Sequence, residues 1–162
     1  MSFLASIFNS FRSKGVTYGP DGIVTNCLFC DINARKEPGT IVRENEEFVT
    51  FRTVRPYTDS HFLVVPRTHL KSVDNLRGEQ DAMLVQRMVD AGKDALEALQ
   101  PGLAATASFC FHVPPFNSID HLHLHAIGNA DTMGVTGRLK YSTSVYCWDS
   151  ATAMKEIRAR LS

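Results

Sequence analysis

The sequence predicts an α+β fold: a single domain with a mainly antiparallel sheet packed by helices. Three observations carry that prediction. The segments run in the order helix, hairpin, strand, long helix, strand, strand, helix, without the strict strand and helix alternation of a parallel sheet. The strand candidates are short β-branched or aromatic runs bounded by Gly, Pro and Asn. At 162 residues the chain is long enough to bury a core without disulfide staples.

The first stretch, Met1 to Lys14, places Phe3, Leu4, Ile7, Phe8 and Phe11 at helical spacing and reads as an amphipathic helix of about three turns. Its apolar stripe suits docking on the domain, a partner or membrane surface, or organelle targeting. Gly15 to Asn26, with Gly19-Pro20-Asp21-Gly22 inside it, reads as linker and turn. The expected organisation is therefore helix and linker over 1–25 and a folded domain over 26–162.

Phe29 to Lys36 fits one short helix ended by Pro38-Gly39. Thr40 to Arg43 and Phe48 to Phe51 read as a hairpin turning at Asn45. His61-Phe62-Leu63-Val64-Val65-Pro66 is too short for a helix and ends in proline, which marks a buried strand. Gly78 to Leu99 is the longest helical pattern, with Met83, Leu84, Met88, Ala91, Ala95 and Leu99 as its apolar face and Pro101-Gly102 as its stop. Ala104 to Val113 gives another strand, the loop Pro114 to Ser118 leads into a histidine-rich strand, and Ser150 to Leu161 is a terminal helix with Ser150 as candidate N-cap.

Seventeen basic and seventeen acidic residues cancel. Without a positive field or a basic stripe, a dedicated nucleic-acid partner is not expected, although a small phosphorylated ligand fits. No stretch approaches the roughly 20 apolar residues needed to span a bilayer, and no secretory signal is evident, so no membrane partner is expected. A reducing compartment is the expectation, the cytoplasm first, with mitochondrion and nucleus left open. There Cys27-Leu28-Phe29-Cys30 reads as a metal or redox pair before a structural disulfide. A closed zinc site needs two further ligands, most naturally histidines, and His69 and His121 would complete a tetrahedron.

The densest chemistry is His121-Leu122-His123-Leu124-His125. Side chains alternate along an extended strand, so the three imidazoles share one face while Leu122 and Leu124 bury on the other. A neutral imidazole whose second nitrogen gives its proton to a backbone carbonyl can attack phosphorus, and a neighbouring imidazole and hydroxyl, here His125 and Ser118, can stabilise the charge that develops. The chain has neither the Gly-x-Ser-x-Gly turn of serine hydrolases nor a Gly-rich phosphate loop ending in Lys-Ser. Cys110 and Cys147 read as buried cysteines rather than nucleophiles.

These residues resemble the histidine triad superfamily of nucleotide hydrolases and transferases over roughly Asn26 to Arg160. The likeness is carried by Cys27-Leu28-Phe29-Cys30-Asp31-Ile32, by His61 to His69, and by Phe111-His112-Val113-Pro114-Pro115-Phe116-Asn117-Ser118 before the triad. The Phe-His-x-Pro-Pro-Phe segment and the aromatic tail at Tyr146 and Trp148 look most like the third nucleotide-binding branch, of adenosine phosphoramidase type, and more distantly like aprataxin, to which His112 has a likeness.

The resemblance implies a homodimer acting on an adenine nucleotide through a nucleotidylated histidine and releasing AMP. It implies His123 as nucleophile, His125 and Ser118 at the phosphate, and His61 as an additional histidine. Nucleotide contacts are implied for Phe29, Ile32, Phe51, Thr53, Val54 and Asn117, and zinc ligation for Cys27, Cys30, His69 and His121. An aspartate common in the family at the ribose is replaced by Thr53, and an asparagine common near the phosphate by Cys110. The other readings are a catalytically weak nucleotide-binding or scaffold protein, removal of adenylate from nucleic-acid ends, and a purely structural zinc module.

Overall fold

The computed structural model describes residues 15–160. The amphipathic helix expected over Met1 to Lys14 lies outside them. Six strands form one antiparallel sheet in the order β3-β4-β5-β7-β6-β8: β3 (Ile41–Glu44), β4 (Phe48–Arg52), β5 (His61–Pro66), β6 (Ser108–His112), β7 (Leu124–Ile127) and β8 (Cys147–Asp149). A separate hairpin, β1 (Val16–Tyr18) with β2 (Val24–Cys27), precedes a short helix α1 (Leu28–Asn33). The long helix α2 (Gly78–Leu99), a seven-residue helix α3 (Val135–Tyr141) and the terminal α4 (Ser150–Ala159) complete the chain.

Alternation along the strands divides the sheet into two working faces. Phe62 and Val64 of β5, Leu124 and Ala126 of β7 and Phe111 of β6 pack under α2 and α4 in the main core, which also takes Leu122. Leu63 and Val65 face the other way, joining Val49, Phe51, Phe29 and Ile32 under the β1–β2 hairpin. Gly92 of α2 sits over β7: a Cβ there would meet the Ala126 Cβ at 3.1 Å and Phe109 at 3.2 Å. Helix and strand therefore approach closely behind the residue that follows His125.

The structure corrects several expectations. The Gly19 to Gly22 segment is a turn as expected, closed by Gly19 N–H to the Ile23 carbonyl and by Ile23 N–H to the Asp21 carboxylate, but the residues on either side of it pair as the β1–β2 hairpin rather than forming linker. Val16 is buried in the core beneath it. On α2 the buried stripe is Ala82, Val85, Met88, Val89, Gly92, Ala95 and Leu96, whereas Met83 and Leu99 are exposed. Three of these seven, Ala82, Gly92 and Ala95, are small and permit close packing on the sheet, which a count of large apolar residues overlooks. The strand expected from Ala104 starts only at Ser108, after a 3₁₀ turn over Leu103–Thr106. The N-cap of α4 is Asp149, not Ser150: its carboxylate accepts the Thr152 N–H at 2.7 Å, and the carboxylate lies where the helix N-terminus favours negative charge. Helix α3 and strand β8 lie where no element was expected.

Gly92→Leu should lower unfolding stability by about 1–3 kcal/mol through overpacking against Ala126 and Phe109, as read by the urea midpoint at unchanged slope.

Candidate active site

His61 on β5, His125 on β7 and His112 on β6 lie on the sheet face opposite α2, because each belongs to the half of its strand's alternation that the main core leaves out. Pairing of β5 with β7 sets Leu63 beside His125 and His61 beside Ile127, so His61 and His125 are diagonal neighbours. His121 and His123 belong to the extended approach to β7 rather than to the strand itself. Their leucine partners, Leu122 and Leu124, are buried under α2 as the alternation requires.

The His123 ring is fixed through its Nδ1–H, which donates to the His121 carbonyl at 2.7 Å. Its Nε2 is then the unprotonated nitrogen. Burial pushes the His123 pKa down, against the opposing pull of that hydrogen bond, which favours the charged form. Phe29 stands edge-on to the ring at 5.3 Å between centroids, and Phe51 packs on Phe29 at 5.4 Å. With Ile32 these form a buried apolar wall beside the imidazole.

His125 has the opposite polarity. The Tyr57 N–H donates to His61 Nδ1 at 3.3 Å, so the His61 proton is on Nε2, which lies 2.9 Å from His125 Nδ1. That nitrogen must accept, and the His125 proton is therefore on Nε2. His125 Nε2 is buried and has no protein partner, a donor left free. The hydrogen-bond network thus assigns a bare nitrogen to His123 and an N–H to His125, with ring centroids 5.2 Å apart. Burial holds His125 well below the ordinary imidazole range, aided by His123, His112, His61 and Lys140. Burial also pushes His61 and His112 down to about 4.

The remaining expected residues are placed less centrally. Asn117 is buried, but its amide N–H groups go to the Ile119 carbonyl and the Asp120 carboxylate, so it holds the loop together. Ser118 beside it is exposed. The Thr53 hydroxyl accepts the Arg55 N–H at 3.4 Å, and Val54 is 94 % exposed. Cys110 is buried and pairs in register with His125.

Two residues escaped the reading of the sequence. Tyr141 lies 5.3 Å from His61, 5.1 Å from His112 and 5.1 Å from His125 by ring centroids. The Lys140 carbonyl accepts His112 Nε2–H at 3.3 Å. Both belong to α3, where the large apolar residues Val135 and Leu139 point to solvent and mislead a periodicity count. The usable signal was the Gly137 and Tyr141 pair at helical spacing, buried where Val135 and Leu139 are not.

The other two histidines leave the phosphate-facing group. His121 Nδ1 lies 3.3 Å from Cys27 Sγ and 3.6 Å from Cys30 Sγ, and His69 Nδ1 lies 3.5 Å from Cys30 Sγ. Cys27, Cys30, His69 and His121 thus offer four ligand atoms within 4.8 Å of one another, a group that could hold a metal ion. His121 Nε2–H donates to the Pro66 carbonyl at 3.0 Å, and His69 Nε2 meets the Tyr18 hydroxyl at 3.2 Å. Each ring is therefore held from behind with Nδ1 turned toward the thiols.

A buried imidazole with one bare nitrogen beside an imidazole N–H, on a six-stranded antiparallel sheet, defines the protein class. The chain belongs to the histidine triad superfamily. Residues 26–141 match the family model described as scavenger mRNA decapping enzyme C-terminal binding. Among curated relatives, the mouse (Mus musculus) protein named adenosine 5'-monophosphoramidase HINT3 is 40% identical over 124 residues, covering 75% of this chain and 74% of its own. The Arabidopsis thaliana protein named bifunctional adenosine 5'-phosphosulfate phosphorylase/adenylylsulfatase HINT4 is 35% identical, covering 64% and 70%. A solved histidine triad family hydrolase from Legionella pneumophila superposes with a TM-score of 0.58 at 27% identity, over 64% of this chain and 93% of that one.

The lowered imidazoles have a stability consequence whose sign is fixed. Above about pH 6.5 both states are neutral at His61 and His112. As pH falls, the unfolded chain takes protons that the native state refuses until about 4, so native stability declines through that window and levels off below it. Urea midpoints from pH 7.5 down to 4 should fall by the equivalent of about 3 kcal/mol for each of these two histidines.

Proposed function

We propose that the protein hydrolyses adenosine phosphoramidates and related adenylylated compounds, releasing AMP through a nucleotidylated His123. The observation that carries this reading is the His123 Nδ1–H bond to the His121 carbonyl, which leaves Nε2 bare. His123 Nε2 attacks phosphorus, the bond from phosphorus to the amine breaks, and the amine departs with a proton from solvent. Attack makes the imidazole cationic, so its bond to the His121 carbonyl strengthens in the transition state. His125 Nε2–H is the donor for a phosphoryl oxygen. Water then attacks phosphorus, the bond to His123 breaks, and AMP leaves as the water's proton passes to solvent.

The Phe29, Ile32 and Phe51 wall suits an adenine base packed beside the nucleophile, with Thr53 and Val54 toward the ribose and the exposed Ser118 at the phosphate. The names borne by the mouse and Arabidopsis relatives support an adenylyl group bound to a good leaving group.

Zinc is proposed for the Cys27, Cys30, His69 and His121 group. Zinc to sulfur at about 2.3 Å and to nitrogen at about 2.0 Å, at the tetrahedral angle, give a sulfur to nitrogen edge of about 3.5 Å. The observed edges, 3.3 to 3.6 Å, fit. Bound there, the ion would supply charge for two thiolates and a cross-link between α1, the segment after β5 and the triad. A relative of known fold from Mycobacterium smegmatis is described as zinc-bound. We further propose a homodimer, following the family resemblance, and a cytoplasmic setting, in which the four cysteines remain thiols as they are here.

Wild-type protein mixed with an adenosine phosphoramidate should release AMP and, when quenched, carry adenylate on His123. His123→Ala should lose on the order of 1000-fold or more in kcat with an unchanged thermal midpoint, and undiminished turnover would refute the assignment. Native mass spectrometry should find one zinc per chain and two chains per particle. A chelator should lower the thermal midpoint.

A further inference from the structure

The imidazoles at the phosphate-facing site depend on each other for their tautomers, and hydrogen bonds alone do not fix the planes of the rings. His125 and His112 are each hydrogen-bonded through one nitrogen and retain freedom to swing, and the His125 bond runs to the His61 ring, so the three rings need a common support. Tyr141 is in that place. Its ring meets His61 edge-on (interplanar angle 86°), His125 at 62° and His112 at 42°, and it is itself buried. His61 and His125 in turn meet each other at 56°.

The tyrosine is held from its far side as well. Tyr57, whose backbone N–H sets the His61 tautomer, stacks edge-on against Tyr141 at 5.3 Å. Gly137 gives α3 its close approach to Tyr57: a Cβ there would lie 2.7 Å from Tyr57 Cδ1. The Lys140 ammonium rests over the Tyr57 and Tyr141 rings, at 5.1 and 5.5 Å.

We propose that Tyr141 is a positioning residue for the reaction: its ring, pressed into place by Gly137 and Tyr57, holds the His61 and His125 rings so that His125 Nε2–H points at the substrate. The contacts used are ring faces and edges, not the hydroxyl. The role rests on the proposed adenylyl chemistry for its effect on turnover, whereas its effect on the imidazoles is a property of the free protein.

The test therefore has two readouts. Long-range proton–nitrogen spectra of histidine-labelled protein report the tautomers directly. Wild type should show single Nε2–H forms for His61 and His125. Tyr141→Leu, which removes the aromatic ring while retaining apolar bulk, should give mixed tautomers and a kcat lower by on the order of 100-fold, with KM changed less than about threefold. Tyr141→Phe should restore single tautomers and most of kcat. Gly137→Ala, which leaves Tyr141 intact but forces α3 off Tyr57, should move both readouts in the direction of Tyr141→Leu, and serves if Tyr141→Leu fails to fold.

Single Nε2–H forms and full kcat in both Tyr141→Leu and Gly137→Ala would overturn the proposal, as would a Tyr141→Phe variant as impaired as Tyr141→Leu. If wild type shows the expected tautomers but no AMP release, the adenylyl chemistry fails, and the tautomers of Tyr141→Leu and Gly137→Ala alone decide whether Tyr141 holds the rings.

Discussion

One residue joins the two histidine groups of this protein. His121 turns its ring toward Cys27 and Cys30 and its carbonyl toward His123 Nδ1. The first interaction anchors the backbone at that point, and the second uses the anchored carbonyl to orient the His123 ring and choose its protonated nitrogen. Pro66 at the end of β5 holds the His121 ring from behind, so the orientation of His123 traces back to the edge of a buried strand. A change anywhere along this path reaches the His123 ring through the backbone.

The site also shows how four imidazoles can be packed together without mutual repulsion. Burial makes each one costly to charge, holding His61 and His112 to about 4 and pushing His123 and His125 below the ordinary imidazole value. Neutral rings are polar in an orientation-dependent way, and the backbone decides the orientation: the Tyr57 N–H for His61, the Lys140 carbonyl for His112, and the His121 carbonyl for His123. His125 is the exception, fixed by another side chain, and its second nitrogen is a buried donor without a protein partner. A buried donor without a partner costs stability in the free protein, which is the kind of local cost that functional sites retain.

Much of this was legible before any coordinates. Strand alternation at Leu122 and Leu124 separated buried leucines from working histidines, and the Cys27 and Cys30 pair, completed by His69 and His121, corresponds to a group whose ligand atoms converge. Elsewhere local signals pointed the wrong way. The residues around the Gly19 to Gly22 turn have the composition of a linker, but β1 and β2 pair across that turn as a hairpin. On α2 the sheet selects a stripe rich in alanine and glycine, and on α3 the large apolar residues face solvent while Tyr141 faces the histidines.

The sequence by itself determined which histidines share a face and how they are spaced along each strand, because strand periodicity is a local property of the backbone. Tertiary structure alone decided which nitrogen of each imidazole bears the proton, since that depends on carbonyls and N–H groups brought from 2 to 64 positions away. It also decided that Tyr141 stands among them. A contact formed by the convergence of α3, β5, β6 and β7 leaves no periodic trace in any one of those segments.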